Sequence, residues 1–132
     1  MNPRFLLDTH IVVRWLTEPK NLSREQNRVI VEEIRHGSRV AVSAISLLEI
    51  ALLAKSQRIS GGLNQLFHQL DTNPNFQVVP LTVDIAREFM AQGDSLRDPS
   101  DRVIVATARV RGLRLVTSDQ RIIDSGLVLI VD

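Results

Sequence analysis

Five short apolar runs, rich in Val, Leu and Ile, recur along the chain and are separated by longer segments with helical spacing. Continuous apolar runs of this length are typical of strands that are buried on both faces of a parallel sheet. We predict strands at 4–7, 39–42, 77–79, 114–117 and 127–131.

The segments between these runs carry the start and stop signals of helices. Ser23 precedes one helical pattern and Gly37 follows it, while Pro99 and Gly112 bracket another in the same way. Because strands and helices alternate, we expect a single α/β domain over 1–132, with a mostly parallel central sheet of about five strands and helices on both faces. Helices are predicted at 10–17, 23–36, 43–57, 62–70, 82–91, 99–111 and 119–124.

Composition narrows the class of protein. With 132 residues, of which 44% are hydrophobic, the chain suits one domain with a substantial core. The absence of Cys excludes disulfides and thiolate zinc sites and fits a reducing compartment. The N-terminus lacks the pattern of a secretion signal, and the longest apolar stretch, near 44–54, is too short to span a bilayer. We therefore expect a soluble cytoplasmic protein that does not enter membranes.

The cations are unusual in kind rather than in number. The net charge is +1, and Lys20 and Lys55 are the two lysines among 16 cations, so the other 14 are Arg. Arg suits bidentate contact with phosphate, which makes nucleic acid a candidate partner. Ordinary ion pairs on helix surfaces are the alternative explanation.

Acidic side chains come where the predicted strands end. Asp8 directly follows the first strand, and Asp119 follows the fourth. Glu49 lies two turns into the helix that leaves the second strand, while Asp98 and Asp101 lie at the start of the sixth helix. Since ligands of parallel sheets bind beyond the carboxyl ends of the strands, we expect these acids to meet at one rim.

Clustered carboxylates predict a metal site. They repel and raise each other's pKa unless a cation joins them. All-oxygen ligands suit Mg²⁺ or Mn²⁺ rather than zinc, and His10, His36 and His68 show no close ligand spacing. A divalent ion lowers the pKa of water and stabilises the transition state of phosphodiester cleavage, so metal-dependent phosphodiester hydrolysis is the predicted chemistry.

Each acid also has a purely structural interpretation. Asp8, Asp98 and Asp119 stand where helix N-caps are expected, and the acid in the first turn of the sixth helix suits the helix dipole. Glu49 would complete a capping box with Ser46 if its helix started late. Otherwise it lies in an apolar stretch and needs a polar partner. Capping and metal binding do not exclude one another.

Four motifs together carry a family resemblance. They are LLDTH at 6–10, SAISLLEIALL at 43–53, RDPSDRVIVATA at 97–108 and LVTSD at 115–119. In this order and spacing, over nearly the whole chain, they resemble the PIN-domain family and, within it, the VapC-type toxins of bacterial type II toxin–antitoxin pairs. The resemblance implies a Mg²⁺- or Mn²⁺-dependent endoribonuclease that acts as a toxin and hydrolyses RNA with a metal-activated water.

The resemblance also implies residue roles. The catalytic and metal-binding acids are Asp8, Glu49, Asp101 and Asp119, with Asp98 in support. Arg97 and Arg102 flank these acids and are candidates for RNA phosphates, with ion pairs to nearby acids as the alternative. Ser118 and Thr117 precede the last acid and are candidates to orient it or a water. Arg14 and Arg121 are further candidate cations.

Two positions depart from the family pattern. Relatives often carry His where this chain has Leu96, and Trp where it has Leu48. Neither change removes a proposed ligand, but both bear on packing and substrate choice. We expect His10 to serve packing or capping and Trp15 to lie in the core.

The segment 44–54 is apolar on almost every side of its helix, which favours a groove or a dimer contact, with plain core as the alternative. The resemblance implies a homodimer, an RNA substrate and a cognate antitoxin protein that lies across the site. The alternative function is a non-catalytic PIN-like module that binds RNA or a partner protein.

Overall fold

The computed structural model describes residues 2–56 and 63–132, in which five strands form one sheet. Their order across the sheet is β3-β2-β1-β4-β5, and every pairing is parallel. The predicted α/β architecture with a parallel sheet is confirmed. The strands are β1 (Phe5–Leu7), β2 (Val40–Ser43), β3 (Phe76–Val79), β4 (Arg114–Val116) and β5 (Ile130–Val131).

Helices connect the strands and cover both faces of the sheet. Ser23 caps one of them through a capping box with Gln26, and Gly112 ends another in the left-handed conformation, with φ of 65°. Within the described residues no helix is long and apolar enough to cross a bilayer. The helices are α1 (Thr9–Thr17), α2 (Arg24–Arg35), α3 (Ala44–Lys55), α4 (Leu63–Thr72), α5 (Val83–Ala91), α6 (Pro99–Arg111) and α7 (Gln120–Ser125), with a short 3-10 helix at Pro19–Asn21.

The predicted elements differ from the observed ones mainly at their ends. The last strand, predicted at 127–131, is only Ile130–Val131. Gly126 ends α7 in the left-handed conformation, with φ of 66°, and a bend follows it. The first backbone hydrogen bond to β4 is made by the carbonyl of Leu129, so the residues before it are not part of the strand. The predicted helix ends at 57 and 62 lie outside the described residues.

Two apolar layers hold the sheet. Leu7 faces the layer that contains Ile30 of α2 and Ile50 of α3, and Leu6 faces the layer that contains Ile104 of α6. Neighbouring strand residues face opposite layers because side chains alternate along a strand. Trp15 packs against the first layer, in agreement with its predicted place in the core.

The chain order creates a crevice at the centre of the sheet. From β1 the chain passes to β2 and β3 on one side, and β4 and β5 lie on the other. The boundary between β1 and β4 is therefore the topological switch point, where open parallel sheets bind their ligands. Asp8 leaves β1 and Asp119 follows β4 at this boundary.

Candidate active site

Asp8 is buried at the end of β1, and both of its oxygens are engaged. Its backbone N–H donates to the Val116 carbonyl at 3.0 Å, which extends the β1–β4 ladder to the rim. Oδ1 accepts the Thr9 N–H at 2.8 Å, and Oδ2 accepts the Thr117 hydroxyl at 2.6 Å. Asp8 thus caps α1, as one prediction had it, and also joins the loop that follows β4, so capping does not exclude a further role at this rim.

The loop 117–119 is held by hydrogen bonds from several elements. The fully buried Thr117 hydroxyl also accepts the Asp119 N–H at 3.0 Å. Ser118 donates its N–H to His10 Nε2 at 3.0 Å, and its hydroxyl accepts Gln26 Nε2 at 2.9 Å. These contacts fix the loop against α1 and α2.

His10 links the loop to Asp8. Because the Ser118 N–H occupies Nε2, a neutral imidazole carries its proton on Nδ1, which faces Asp8 Oδ2 at 3.4 Å. Burial lowers the pKa of His10, and this outweighs the opposing charge of Asp8. The neutral form of His10 is therefore favoured. Its ring lies between Asp8 and the Ser118 backbone and connects them.

Glu49 reaches the site through a hydroxyl pair. The Thr9 hydroxyl donates to Glu49 Oε1 at 2.5 Å and lies 2.8 Å from the Ser46 hydroxyl. Since the Thr9 proton is donated to Glu49, Ser46 must donate to Thr9. Burial and the charges of Asp8 and Asp98 raise the pKa of Glu49. The hydrogen bond from Thr9 lowers this pKa, but by less.

The capping-box interpretation of Glu49 is wrong. Helix α3 begins at Ala44, and its N-cap is Ser43, whose hydroxyl accepts the Ile45 N–H at 3.2 Å. Glu49 is therefore in the second turn, beyond the reach of the N-cap backbone, and its polar partner comes from α1 instead.

Asp101 shows that the acids share one electrostatic environment. Burial raises its pKa to about 7, and the charges of Asp98, Asp8 and Asp119 add to the effect, while Arg121 opposes it. The predicted convergence of acids from separate segments is thus seen in their mutual influence. A cavity of about 200 Å³ opens beside Asp101 and is lined by Ser95, Leu96, Arg97, Asp98, Asp101 and Arg121.

Asp98 and Asp119 also serve as helix caps. Asp98 Oδ1 accepts the Ser100 N–H at 2.8 Å at the start of α6. Asp119 Oδ1 accepts the Arg121 N–H at 2.9 Å at the start of α7. Each cap uses one carboxylate oxygen.

The candidate cations differ in how close they lie to the acids. Arg121 Nη2 lies 3.1 Å from Asp119 Oδ2 and 3.8 Å from Asp101 Oδ2. Partial burial raises the pKa of Asp119, but the bonds and charge of Arg121 outweigh it, so this pKa lies below its ordinary value. Arg97 lines the cavity. Arg102 does not turn to the acids, because its guanidinium lies 4.1 Å from the Phe89 ring and donates to the Phe89 carbonyl.

The donor set of the rim fits a hard divalent cation. Asp8, Glu49, Asp101 and Asp119 offer only carboxylate oxygens, the ligands of Mg²⁺ and Mn²⁺. Across residues 2–56 and 63–132, no three His, Cys, Asp or Glu side chains already stand around a point where a metal would lie. Two of the acids are instead turned to Arg121, so metal binding requires these side chains to rearrange.

Sequence reasoning anticipated Thr117 but missed other residues that hold the acids in place. The contact of Thr9 with Glu49 was not predicted, and Ser46 was considered only as the cap in a capping box with Glu49. Gln26 was seen only in the structure, where it serves both the capping box and Ser118. Of the two departures, Leu96 is buried against the cavity and Leu48 is 54% exposed.

Comparison with known proteins agrees with this arrangement. The family model described as PIN domain matches residues 5–125. Ribonuclease VapC22 of Mycobacterium tuberculosis is 36% identical over 118 residues, which cover 89% of this chain and 88% of that protein. The chain therefore belongs to the PIN-domain family.

Solved structures share the fold. VapBC2 from Rickettsia felis, bound to a DNA fragment from their promoter, superposes with a TM-score of 0.72 at 14% identity and covers 99% of this chain and 98% of that one. A toxin–antitoxin complex from Klebsiella pneumoniae gives a TM-score of 0.66 at 22% identity, with 96% and 95% covered. At these identities the likeness concerns the fold.

Proposed function

We propose that this chain is a metal-dependent endoribonuclease that acts as the toxin of a toxin–antitoxin pair. The observation that carries the proposal is the group of acids at the β1–β4 switch point, where Asp101 has its pKa raised to about 7 by burial and by three other acids. Membership of the PIN-domain family and the likeness to a VapC ribonuclease support RNA as the substrate.

Four acids are the proposed holders of Mg²⁺ or Mn²⁺, namely Asp8, Glu49, Asp101 and Asp119, with Asp98 in support. When bound, such a cation supplies an acidic water and positive charge opposite the phosphate oxygens. The chain's own hydroxyls orient two of the acids, because Thr117 donates to the Asp8 carboxylate and Thr9 donates to Glu49. The carboxylates of Asp101 and Asp119, which are turned to Arg121, would still have to move to hold a metal.

Substrate contact is proposed for the cavity edge. Arg97 is exposed beside Asp98 and Asp101, where an RNA phosphate would meet its guanidinium. Ser118 is exposed at the opposite side of the switch point and is held by Gln26. Arg102 is left out of this role because it is engaged by Phe89.

We also propose a cognate antitoxin and a homodimer. Structures of toxin–antitoxin complexes share the fold. The clustered acids of the rim would attract a basic segment of such a partner. Leu48 and Leu52 of α3 are 54% and 57% exposed, so the predicted apolar helix presents side chains for an interface. The place of action is proposed to be the cytoplasm, where RNA is available.

Induced expression in a bacterial host tests the function. Wild type, Asp8→Asn and a control, Arg87→Gln, which removes an exposed charge on α5, are expressed, and total RNA is read for new 5′ ends. We expect growth arrest and discrete cuts with wild type and Arg87→Gln, and neither with Asp8→Asn. Equal arrest by Asp8→Asn without cuts would favour the non-catalytic binding module.

A further inference from the structure

Arg121 occupies the position in which a cation is most needed. Its Nη2 lies 3.1 Å from Asp119 Oδ2 and 3.8 Å from Asp101 Oδ2, while its Nε donates to Asp119 Oδ1 at 3.3 Å. The same guanidinium therefore joins an acid of α6 to the N-cap residue of α7. Asp101 and Asp119 are also among the acids that are proposed to hold a divalent ion.

One guanidinium offsets the negative charge of the rim only in part. Its single positive charge lies between the carboxylates of Asp101 and Asp119, and Asp98 lines the same cavity beside them. A doubly charged ion at the same oxygens would compensate more of this charge. The carboxylates thus favour the divalent ion over the guanidinium when both are present.

The side chain of Arg121 is free to leave. It is 74% exposed, whereas the Asp101 and Asp119 side chains are 13% and 19% exposed. An exposed ion pair holds its partners weakly, so its release costs little. Arg121 also lines the cavity beside Asp101 together with Arg97, and a released guanidinium would stay within reach of that cavity.

We propose that Arg121 is a positioning residue that holds Asp101 and Asp119 until a divalent cation displaces it, and that its freed guanidinium then contacts an RNA backbone phosphate. This inference rests on the proposed function. It gives the chain an internal competitor for its own metal, so that metal binding and phosphate binding are coupled through one side chain. Arg97 lacks this role, since within the described residues it forms no ion pair with the acids.

Metal affinity is the first test. Binding of Mn²⁺ to the purified full chain is measured by electron paramagnetic resonance for wild type, Arg121→Gln and the charge-matched control Arg87→Gln. We expect Arg121→Gln to bind Mn²⁺ about two- to five-fold more tightly, because the competing pair is gone, and Arg87→Gln to match wild type. Arg121→Lys keeps the positive charge but loses the two-pronged guanidinium, so its Mn²⁺ affinity should lie between those of wild type and Arg121→Gln.

RNA affinity is the second test. Binding of a short single-stranded RNA is measured by fluorescence anisotropy at several salt concentrations, with Ca²⁺ in place of Mn²⁺ to slow cleavage. Loss of one phosphate contact in Arg121→Gln should weaken binding and reduce the slope of log affinity against log salt by about 0.7. A slope equal to that of wild type would overturn the phosphate contact.

The outcomes separate the inference from the function on which it rests. Equal or weaker Mn²⁺ binding by Arg121→Gln overturns the inference and leaves a metal-dependent nuclease standing. Absence of Mn²⁺ binding in every variant overturns both. A merely structural role for Arg121 would lower the unfolding temperature of Arg121→Gln without raising its Mn²⁺ affinity.

Discussion

The hydroxyl of Thr117 donates to Asp8 Oδ2 at 2.6 Å across the boundary between β1 and β4. The hydroxyl oxygen of Thr117 also accepts the N–H of Asp119 at 3.0 Å. One buried side chain therefore sets the positions of two acids that lie more than a hundred residues apart in the chain. Acids that follow two different strands are thus held next to each other by one hydroxyl group.

Replacement of Thr117 by Val should damage the site more than the fold. The variant keeps the shape of the side chain but leaves the Asp119 N–H and one Asp8 oxygen without their partner, so metal affinity or activity should fall about 10- to 100-fold. The cost in unfolding free energy should be about 1–3 kcal/mol. Activity and urea denaturation measure the two effects. Thr117→Ser restores the hydroxyl and should regain most activity, and a fully active Thr117→Val would contradict the account.

Stability without metal should fall as pH rises from about 4 to about 7. Because the pKa of Asp101 is raised to about 7 in the folded chain from an ordinary 3.8, the folded state keeps a proton that the unfolded state has lost in this window. The unfolding free energy therefore decreases with pH until the folded carboxyl has also ionised. The raised pKa of Glu49 acts in the same direction. The lowered pKa of His10 acts in the opposite direction just below pH 6.5 and offsets part of the decrease there.

Denaturation in urea and EDTA between pH 4.5 and 7.5 measures this effect. Asp101→Asn cannot ionise and should lose most of the decrease, whereas Asp94→Asn, at an exposed acid outside the site, should behave as wild type. If wild type and Asp101→Asn show the same pH slope, Asp101 is not the group responsible. Added Mn²⁺ should stabilise the wild type most above pH 7, where the carboxyl is ionised.

The pair Arg4–Glu33 should support the fold at the opposite end of the sheet. The Glu33 side chain is only 2% exposed, and Arg4 Nε reaches it at 3.2 Å. Arg4→Gln would leave a buried carboxylate without its partner, so its urea midpoint should fall. Arg114→Gln removes another Arg that lies against the Phe5 ring and serves as the control. Equal midpoints for the two variants would mean that the ion pair adds nothing.

The exposed leucines of α3 should control assembly. Changing both Leu48 and Leu52 to Ser removes the apolar surface that we assign to a dimer, while the buried Ile50 between them stays in place. Sedimentation equilibrium should show a dimer for wild type and a monomer for the double variant, with unchanged circular dichroism. A wild type that is monomeric at high concentration would remove the dimer from the account.

The fold was predictable because its signals are local. The apolar runs that became β1 to β4, the Ser23 cap and Gly112 all lie within a few residues of the boundaries they set. The last strand was predicted too long, because the bend that precedes it is as apolar as the strand itself. The strand begins where its backbone pairs with β4. Its extent depends on a contact distant in sequence.

The location of the acids at the strand ends was predictable, but their hydrogen-bond and ion-pair partners were not. Asp8 and Asp119 follow strands, which is a local signal, and topology then brings them together. The bond from Thr9 to Glu49 joins positions 40 residues apart, and no local pattern reports it. Arg102 directly follows Asp101, and Arg121 comes two residues after Asp119, but sequence does not show where either side chain points. Arg102 packs on Phe89, whereas Arg121 pairs with the acids.

Cleavage of RNA by the purified chain distinguishes a metal-dependent nuclease from a binding module. Total cellular RNA is incubated with wild type, Asp119→Asn and Asp94→Asn, in Mn²⁺ or in EDTA. The account predicts discrete cuts by wild type and Asp94→Asn in Mn²⁺, and none in EDTA or with Asp119→Asn. Equal cleavage by wild type in EDTA, or by Asp119→Asn in Mn²⁺, would contradict a metal-dependent nuclease built on these acids.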